Sequence, residues 1–224
     1  MQRRNLMLIP GLALIPGWAR AALNEGDAAS GIRAALTRGA EAAVSLLGRP
    51  DGFMGNPLVR IELPGYLKDG AKLLKMTGQG KKIDELLAAM NRAAEAAVPA
   101  AKPLLVNAVR SMSVEDGLKL LRGGDDSATQ FFAGKTRAPL REQFLRIVTR
   151  ATERVSLADK YNAVAGKAAG MGLLKGDEAN IQQYVTGKAL DGLFLMIAAE
   201  EKKIRKDPVG TGSAILKKVF GGLG

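Results

Sequence analysis

Apolar residues that recur every three or four positions constrain the fold of this chain more than any other feature. In the clearest segment they are Ile32, Leu36, Ala40, Ala43, Val44 and Leu47, and Gly48 follows them. This spacing places the side chains on one face of an α-helix, and a glycine just after them is typical of a helix end. The segment is therefore predicted to be an amphipathic helix with one buried face.

Similar patterns predict helices along most of the remaining chain. A long Ala-rich helix is expected over residues 82–112, and Pro99 and Pro103 should kink or split it. Ser113–Asp116 has the form of a capping box, which predicts the start of a new helix. The last major helix is expected over residues 178–206.

Between Gly124 and the last major helix, two helices are predicted. One begins near Asp125 and Asp126 and carries Phe131 and Phe132, and a longer amphipathic helix follows Pro139. Proline removes a helical hydrogen bond and its ring clashes with the preceding turn, so a break is expected there.

Extended structure is expected at one place at most. Near residues 58–63, Val59, Ile61 and Leu63 alternate with Arg60 and Glu62, as in a half-buried strand.

Aromatic residues make up only 4% of the chain, whereas 47% of its 224 residues are hydrophobic, enough for one core. The predicted fold class is all-α, a single compact helical-bundle domain over residues 22–224.

The chain contains no cysteine and no histidine. Disulfides, thiolate nucleophiles, imidazole bases and the usual zinc sites are therefore excluded, and so is lipidation on cysteine. Neither a metal nor a cofactor is expected.

The first 21 residues have the order of a cleavable signal peptide. Arg3 and Arg4 precede an apolar run of about 13 residues, 6–18, and Ala19-Arg20-Ala21 is a small-x-small cleavage site. The run is shorter than the roughly 20 apolar residues that cross a membrane. We therefore expect an exported periplasmic protein that is soluble and not lipidated. The paired arginines also resemble a twin-arginine export motif, and an ordinary secretory signal is the alternative.

The net charge indicates which partners to expect. Removal of Arg3, Arg4 and Arg20 would lower the formal charge from +11 by three, to +8. Aromatic residues do not interleave with basic ones, so no nucleic-acid partner is expected. Peripheral contact with an anionic membrane surface is one interpretation of this charge, and simple solubility is the other.

Four separated blocks of sequence carry a family resemblance. The blocks are Asp51-Gly52-Phe53 with Asn56-Pro57, residues 91–97, residues 124–129, and Lys188 to Phe194 with residues 199–205. Together they resemble the exported bacterial family called domain of unknown function 4197, over nearly the whole chain after residue 21. The resemblance implies an all-helical envelope protein without an assigned activity.

Polar residues within these blocks are the candidate ligand-binding residues. They are Asn91, Arg92, Glu95, Asp125, Asp126, Lys188, Asp191, Glu200 and Glu201. If the helices of Arg92 and Asp191 are neighbours, their charges could form a ligand pocket centred on Arg92 or a salt bridge that fixes helix register. We favour the salt bridge because such networks are often structural.

Asp125 and Asp126 admit two interpretations. They could act as a general acid and base, or they could satisfy free backbone N–H groups at the start of a helix. The capping interpretation is favoured, because acids that follow Gly-Gly and precede a helical segment are typical of a helix start.

Two functions from different classes follow from the sequence. The first is a non-enzymatic binding or accessory protein of the cell envelope, which holds a small apolar or anionic ligand or an envelope protein. The alternative is a hydrolase or lyase that works through carboxylates alone, with Asp125 and Asp126 or Glu200 and Glu201 as acid and base.

Overall fold

The computed structural model describes residues 25–65, 76, 80–153, 161 and 180–207. Within these ranges the fold is all-helical and compact, without a strand, and the predicted fold class is confirmed. The helices are α1 (Glu25–Leu47), α2 (Gly80–Ala97), α3 (Ala101–Arg110), α4 (Val114–Arg122), α5 (Ser127–Glu153) and α6 (Ile181–Lys206). The predicted signal peptide, residues 1–21, lies outside the described residues.

Helix α6 lies at the centre of the bundle. It packs against α5, α1 and α2, and α1 in turn packs against α3 and α4. Twelve residues of α6 are buried, among them Leu190, Leu193 and Ile197. Burial of each such side chain contributes about 1.5–3 kcal/mol. At Gly192 a Cβ atom would lie 2.8 Å from Phe53 Cε1, so the absence of a side chain permits close packing.

The expected split of the long Ala-rich helix is confirmed. Helix α2 ends at Ala97, the 3₁₀ turn Val98–Ala100 contains Pro99, and α3 begins at Ala101. Pro103 lies in the first turn of α3, where its missing N–H would have had no helical partner. One proline thus ends the first helix and the other is tolerated at the start of the next.

The break expected at Pro139 is wrong. Helix α5 runs without interruption from Ser127 to Glu153 with Pro139 inside it. Pro139 is exposed, and so is Lys135, whose carbonyl loses its helical partner and can be hydrated. Phe132 before Pro139 and Leu140 and Phe144 after it are buried, and their packing in the core keeps the two halves of α5 in line.

The segment between α1 and residue 65 first turns and then continues, over residues 60–64, without helix or strand. Asp51 has a positive φ of 62°, and a Cβ atom at Gly52 would lie 2.4 Å from Leu47 O. This tight turn therefore requires glycine. The expected alternation follows it, and the three inward residues, Val59, Ile61 and Leu63, are buried.

Candidate functional site

An apolar cleft opens between α1, α4, α5 and α6. It has a cavity volume of about 50 Å³. The walls are formed mainly by apolar side chains, including Ile32, Leu36, Leu120, Phe132, Ile197 and Ile204. At Gly39, which also lines the cleft, a Cβ atom would lie 3.3 Å from Ile204 Cδ1. The cleft therefore offers a narrow surface suited to an apolar group.

Glu201 and Arg205 of α6 line this cleft and form what we call its polar end. Glu201 also caps the start of α5, although it belongs to another helix. Its carboxylate accepts hydrogen bonds from the N–H groups of Ala128, at 3.0 Å, and Thr129, at 2.9 Å. It also accepts one from Thr129 Oγ1 at 2.8 Å. These backbone groups belong to the first turn of α5, where they have no partner within their own helix. A negative charge there also suits the helix dipole.

Arg205 completes the polar end. Its Nε and Nη2 atoms donate to Glu201 Oε1 at 3.1 and 2.9 Å. Nη2 also donates to the carbonyl of Leu120 at 3.0 Å and to Ser127 Oγ at 2.7 Å. The Arg205 and Glu201 side chains are 18% and 6% exposed. The remaining guanidinium nitrogen, Nη1, takes part in none of these contacts with the described residues.

Glu200, the neighbour of Glu201, has a different environment. It forms an ion pair with Lys203, in which Lys203 Nζ lies 2.6 Å from Glu200 Oε1. Glu201 lines the apolar cleft, whereas Glu200 is absent from its lining. The two glutamates therefore do not converge on this cleft as an acid–base pair.

Asp125 and Asp126 are both exposed in the loop before α5. The carboxylate of Asp126 accepts a hydrogen bond from Gln130 Nε2 at 2.8 Å. The free N–H groups of the first turn bind Glu201 instead, so the expectation that these aspartates provide the cap is wrong. Glu201 can provide the cap because its helix, α6, packs against α5.

Asn91 is fully buried and fastens the extended segment to α2. Its Oδ1 accepts a hydrogen bond from the N–H of Ile61 at 2.8 Å, and its Nδ2 donates to the carbonyl of Ile61 at 2.9 Å. A third bond links Nδ2 to the carbonyl of Leu87 at 2.8 Å. The amide of Asn91 thus bonds both backbone groups of Ile61, as a neighbouring strand would in a sheet.

Glu95 and Arg92 hold the turn that precedes this segment. Glu95 Oε1 accepts hydrogen bonds from the N–H groups of Phe53 and Met54, at 3.1 and 3.2 Å. Arg92 donates to Glu95 Oε2 at 2.7 Å and to Asp51 Oδ1 at 2.9 Å. Hydrogen bonding to Glu95, and then its charge, raise the pKa of Arg92 above its ordinary value. The cluster stabilises a loop.

The expected ionic network between α2 and α6 does not form among the described residues. Asp191 is paired with Arg137 of α5, whose guanidinium also lies 5.4 Å from the ring centroid of Phe194. Lys188 Nζ lies 5.7 Å from the ring centroid of Tyr184. Arg92 instead pairs within its own helix and with the adjacent loop.

Lys188 and Asp191 line a second, more polar hollow. This hollow has a volume of about 600 Å³ and lies between residues 58–65 and α6. Tyr184 and Glu62 also line this hollow, and the hydroxyl of Tyr184 donates to the carbonyl of Glu62 at 2.8 Å. The structure therefore divides six candidate residues among the cleft, the loop cluster of α2 and this hollow. The other three, Asp125, Asp126 and Glu200, belong to none of these places.

Sequence reasoning missed the apolar cleft and the role of Arg205. Arg205 belongs to a run of basic residues at the end of α6, which suggests a solvated helix end. The available signal was its position four residues after Glu201, a spacing that brings opposite charges together on a helix. In the part of the chain that the structure describes, no cluster of three or more metal-ligating side chains occurs. No helix described here is long and apolar enough to cross a membrane.

Comparison with known families agrees with the resemblance carried by the four blocks. A family model described as a protein of unknown function, DUF4197, matches residues 22–221. The chain belongs to the DUF4197 family. The match to DUF4197 begins directly after the predicted cleavage site and includes the six helices of the described residues. No curated protein and no solved structure matches the chain.

Proposed function

We propose that this DUF4197 protein is a non-enzymatic binding or accessory protein of the bacterial envelope. In this proposal the cleft between α1, α4, α5 and α6, with its volume of about 50 Å³, takes only a few carbon atoms of a ligand's apolar part, and the remaining carbon atoms lie outside it. The observation that carries the proposal is an apolar cleft with the Glu201–Arg205 pair at one end. Small-molecule sites commonly combine apolar walls with a few polar groups that orient the ligand.

The polar end of the cleft indicates an anionic headgroup. Glu201 is neutralised by Arg205 and by the N–H groups at the start of α5, so it does not present an unpaired negative charge to the cleft. Arg205 Nη1 takes part in none of the hydrogen bonds described above, and in this proposal it donates to an oxygen of the ligand at the edge of the cleft. A carboxylate attached to an alkyl chain combines the two chemistries, because a guanidinium binds carboxylates well.

The carboxylate-only hydrolase or lyase receives less support. Both oxygens of Glu201 are engaged by five hydrogen bonds, so proton transfer there would disrupt the start of α5. Glu200 is paired with Lys203, and Asp125 and Asp126 are exposed outside the apolar cleft. A general acid and base must instead reach one bound substrate.

Export to the envelope is the second part of the proposal. It is supported by the signal-peptide pattern of residues 1–21 and by a family match that begins at residue 22. The test is the N-terminal sequence of the protein in the periplasmic fraction of its host. A chain that begins near residue 22 is expected, and an intact Met1 in a protein confined to the cytoplasm would contradict export.

The binding proposal is tested by calorimetric titration with decanoate and with decan-1-ol. Decanoate should bind saturably, and decan-1-ol more weakly because it lacks the charge that Arg205 would contact. Ala35 lines the cleft and Ala42 is exposed on the same helix. Ala35→Leu should weaken decanoate binding by at least about tenfold, or about 1.4 kcal/mol, by filling the cleft. Ala42→Leu should bind like the unaltered protein.

Failure of decanoate to bind saturably would contradict the proposed ligand class. Unchanged binding in Ala35→Leu would contradict the proposed cleft. Circular dichroism of both variants checks that the added side chain has not unfolded the bundle.

A further inference from the structure

A shallow hollow between α5 and the 3₁₀ turn Val98–Ala100 lies apart from the apolar cleft. Its volume is about 320 Å³. Arg146 and Arg150 line it with Gln143, and Ala100 and Ile147 provide apolar surface. Both arginines are exposed and lie one helical turn apart, so their side chains emerge from the same face of α5.

The two arginines have no counter-charge in the part of the chain that the structure describes. Neither forms an ion pair with Glu142 or Glu153, the acids of the same helix, or with any other described acid. Arg137, nearer the middle of α5, is paired with Asp191. Like charges one turn apart repel each other, so Arg146 and Arg150 form an arrangement that a bound anion would stabilise.

The chemistry of these groups matches a phosphate. Guanidinium groups donate paired hydrogen bonds to phosphate oxygens, and two of them on one face can contact the same group. The amide of Gln143 adds a further donor beside them. Apolar surface from Ala100 and Ile147 would accept the carbon atoms of a phosphate ester. The net charge, +11 for the full chain and +8 without residues 1–21, also attracts anions to the protein.

We propose that Arg146, Arg150 and Gln143 form a binding site for the phosphate group of an ester. The phosphate belongs either to a lipid headgroup at a membrane surface or to a small soluble molecule. The site is separate from the apolar cleft and does not depend on the function proposed for that cleft.

The test uses the full chain with two probes. Glycerol 3-phosphate is titrated by calorimetry, and vesicles of phosphatidylcholine with or without phosphatidylglycerol are used for co-sedimentation. The site variant is Arg146→Gln with Arg150→Gln. The matched control is Arg110→Gln with Arg122→Gln, which removes the same charge from two other exposed arginines.

The site variant should weaken binding of at least one probe by about tenfold, whereas the control should stay within about twofold of the unaltered protein. If the site variant loses binding only to phosphatidylglycerol vesicles, the ligand is a lipid headgroup. If it loses binding to glycerol 3-phosphate, the ligand is a soluble ester. Equal weakening in the site variant and the control would reduce the effect to net charge and overturn the proposal. The absence of binding with both probes would overturn it as well.

Discussion

Replacement of Glu201 by alanine should destabilise the fold strongly, because one buried carboxylate joins α6 to the start of α5. The substitution leaves the N–H groups of Ala128 and Thr129 without their acceptor. It also leaves Arg205, 18% exposed, without its counter-charge. Loss of one partner of a buried ion pair costs about 3–5 kcal/mol. Two hydrogen bonds to a charged acceptor, at about 1.5–3 kcal/mol each, give a similar value.

The assay is urea unfolding followed by circular dichroism, with thermal unfolding as a second measurement. A loss of about 3–5 kcal/mol corresponds to a fall in Tm of roughly 6–20 °C for a chain of this size. Glu200→Ala is the matched control, since Glu200 pairs with a largely exposed Lys203 and should contribute about 0–1 kcal/mol. Equal free energies of unfolding for the two variants would refute the assigned role of Glu201.

Three further predictions concern other buried or capping groups. Asn91→Ala should lower the free energy of unfolding by about 1–3 kcal/mol, because the buried N–H of Ile61 loses its acceptor. Urea unfolding measures the loss, and an unchanged midpoint would contradict it. Thr186→Val should leave Tm unchanged or raise it, because the buried Thr186 hydroxyl has no hydrogen-bond partner among the described groups; calorimetry that shows a lower Tm would contradict this. A hydrogen bond from the backbone N–H of Ser113 lowers the pKa of Asp116 in the folded protein. The Asp116 carboxylate therefore stabilises the fold at a pH above the pKa that this group has in the unfolded chain. This contribution is lost as the pH falls through the pKa of the group in the folded protein. Asp116→Asn should therefore lower Tm near neutral pH. The difference in Tm between this variant and the unaltered protein should become smaller as the pH falls from about 5 to about 2. A difference in Tm that stays constant with pH would contradict the assignment.

Features that depend on neighbouring residues could be predicted from the sequence. The apolar spacing of α1 and the glycine after it gave the end of that helix correctly. The capping box Ser113–Asp116 is confirmed, with Asp116 N–H donating to Ser113 Oγ at 3.0 Å and Ser113 N–H donating to Asp116 Oδ2 at 3.1 Å. Both signals act within one helical turn, so no knowledge of the packing is needed.

The incorrect predictions involve interactions between distant parts of the chain. Proline inside a helix normally interrupts the helix, so a break is expected at Pro139. Buried residues on both sides of Pro139 nevertheless hold α5 together. Asp125 and Asp126 stand where a cap is expected, but Glu201, more than 70 positions later in the sequence, occupies the N–H groups. Sequence spacing does not show which distant side chain reaches a helix end.

The candidate site was predicted only in part for the same reason. Asn91, Arg92 and Glu95 lie on one helix, as the sequence predicts, but their partners lie in the segment around Asp51 and Ile61. The apolar cleft is formed by four helices, and its lining residues are ordinary core residues in the sequence. Only the packing of the helices reveals a cleft with Arg205 at one end.

The most direct test of the proposed binding function is native mass spectrometry of the mature protein purified from the envelope fraction of its own host, with extraction of bound molecules. We expect a stoichiometric small molecule that carries an alkyl chain and an anionic group, and we expect Ala35→Leu to lose it while Ala42→Leu retains it. An apo mass for the unaltered protein, or the same bound species in Ala35→Leu, would contradict the assignment of the cleft as a ligand site.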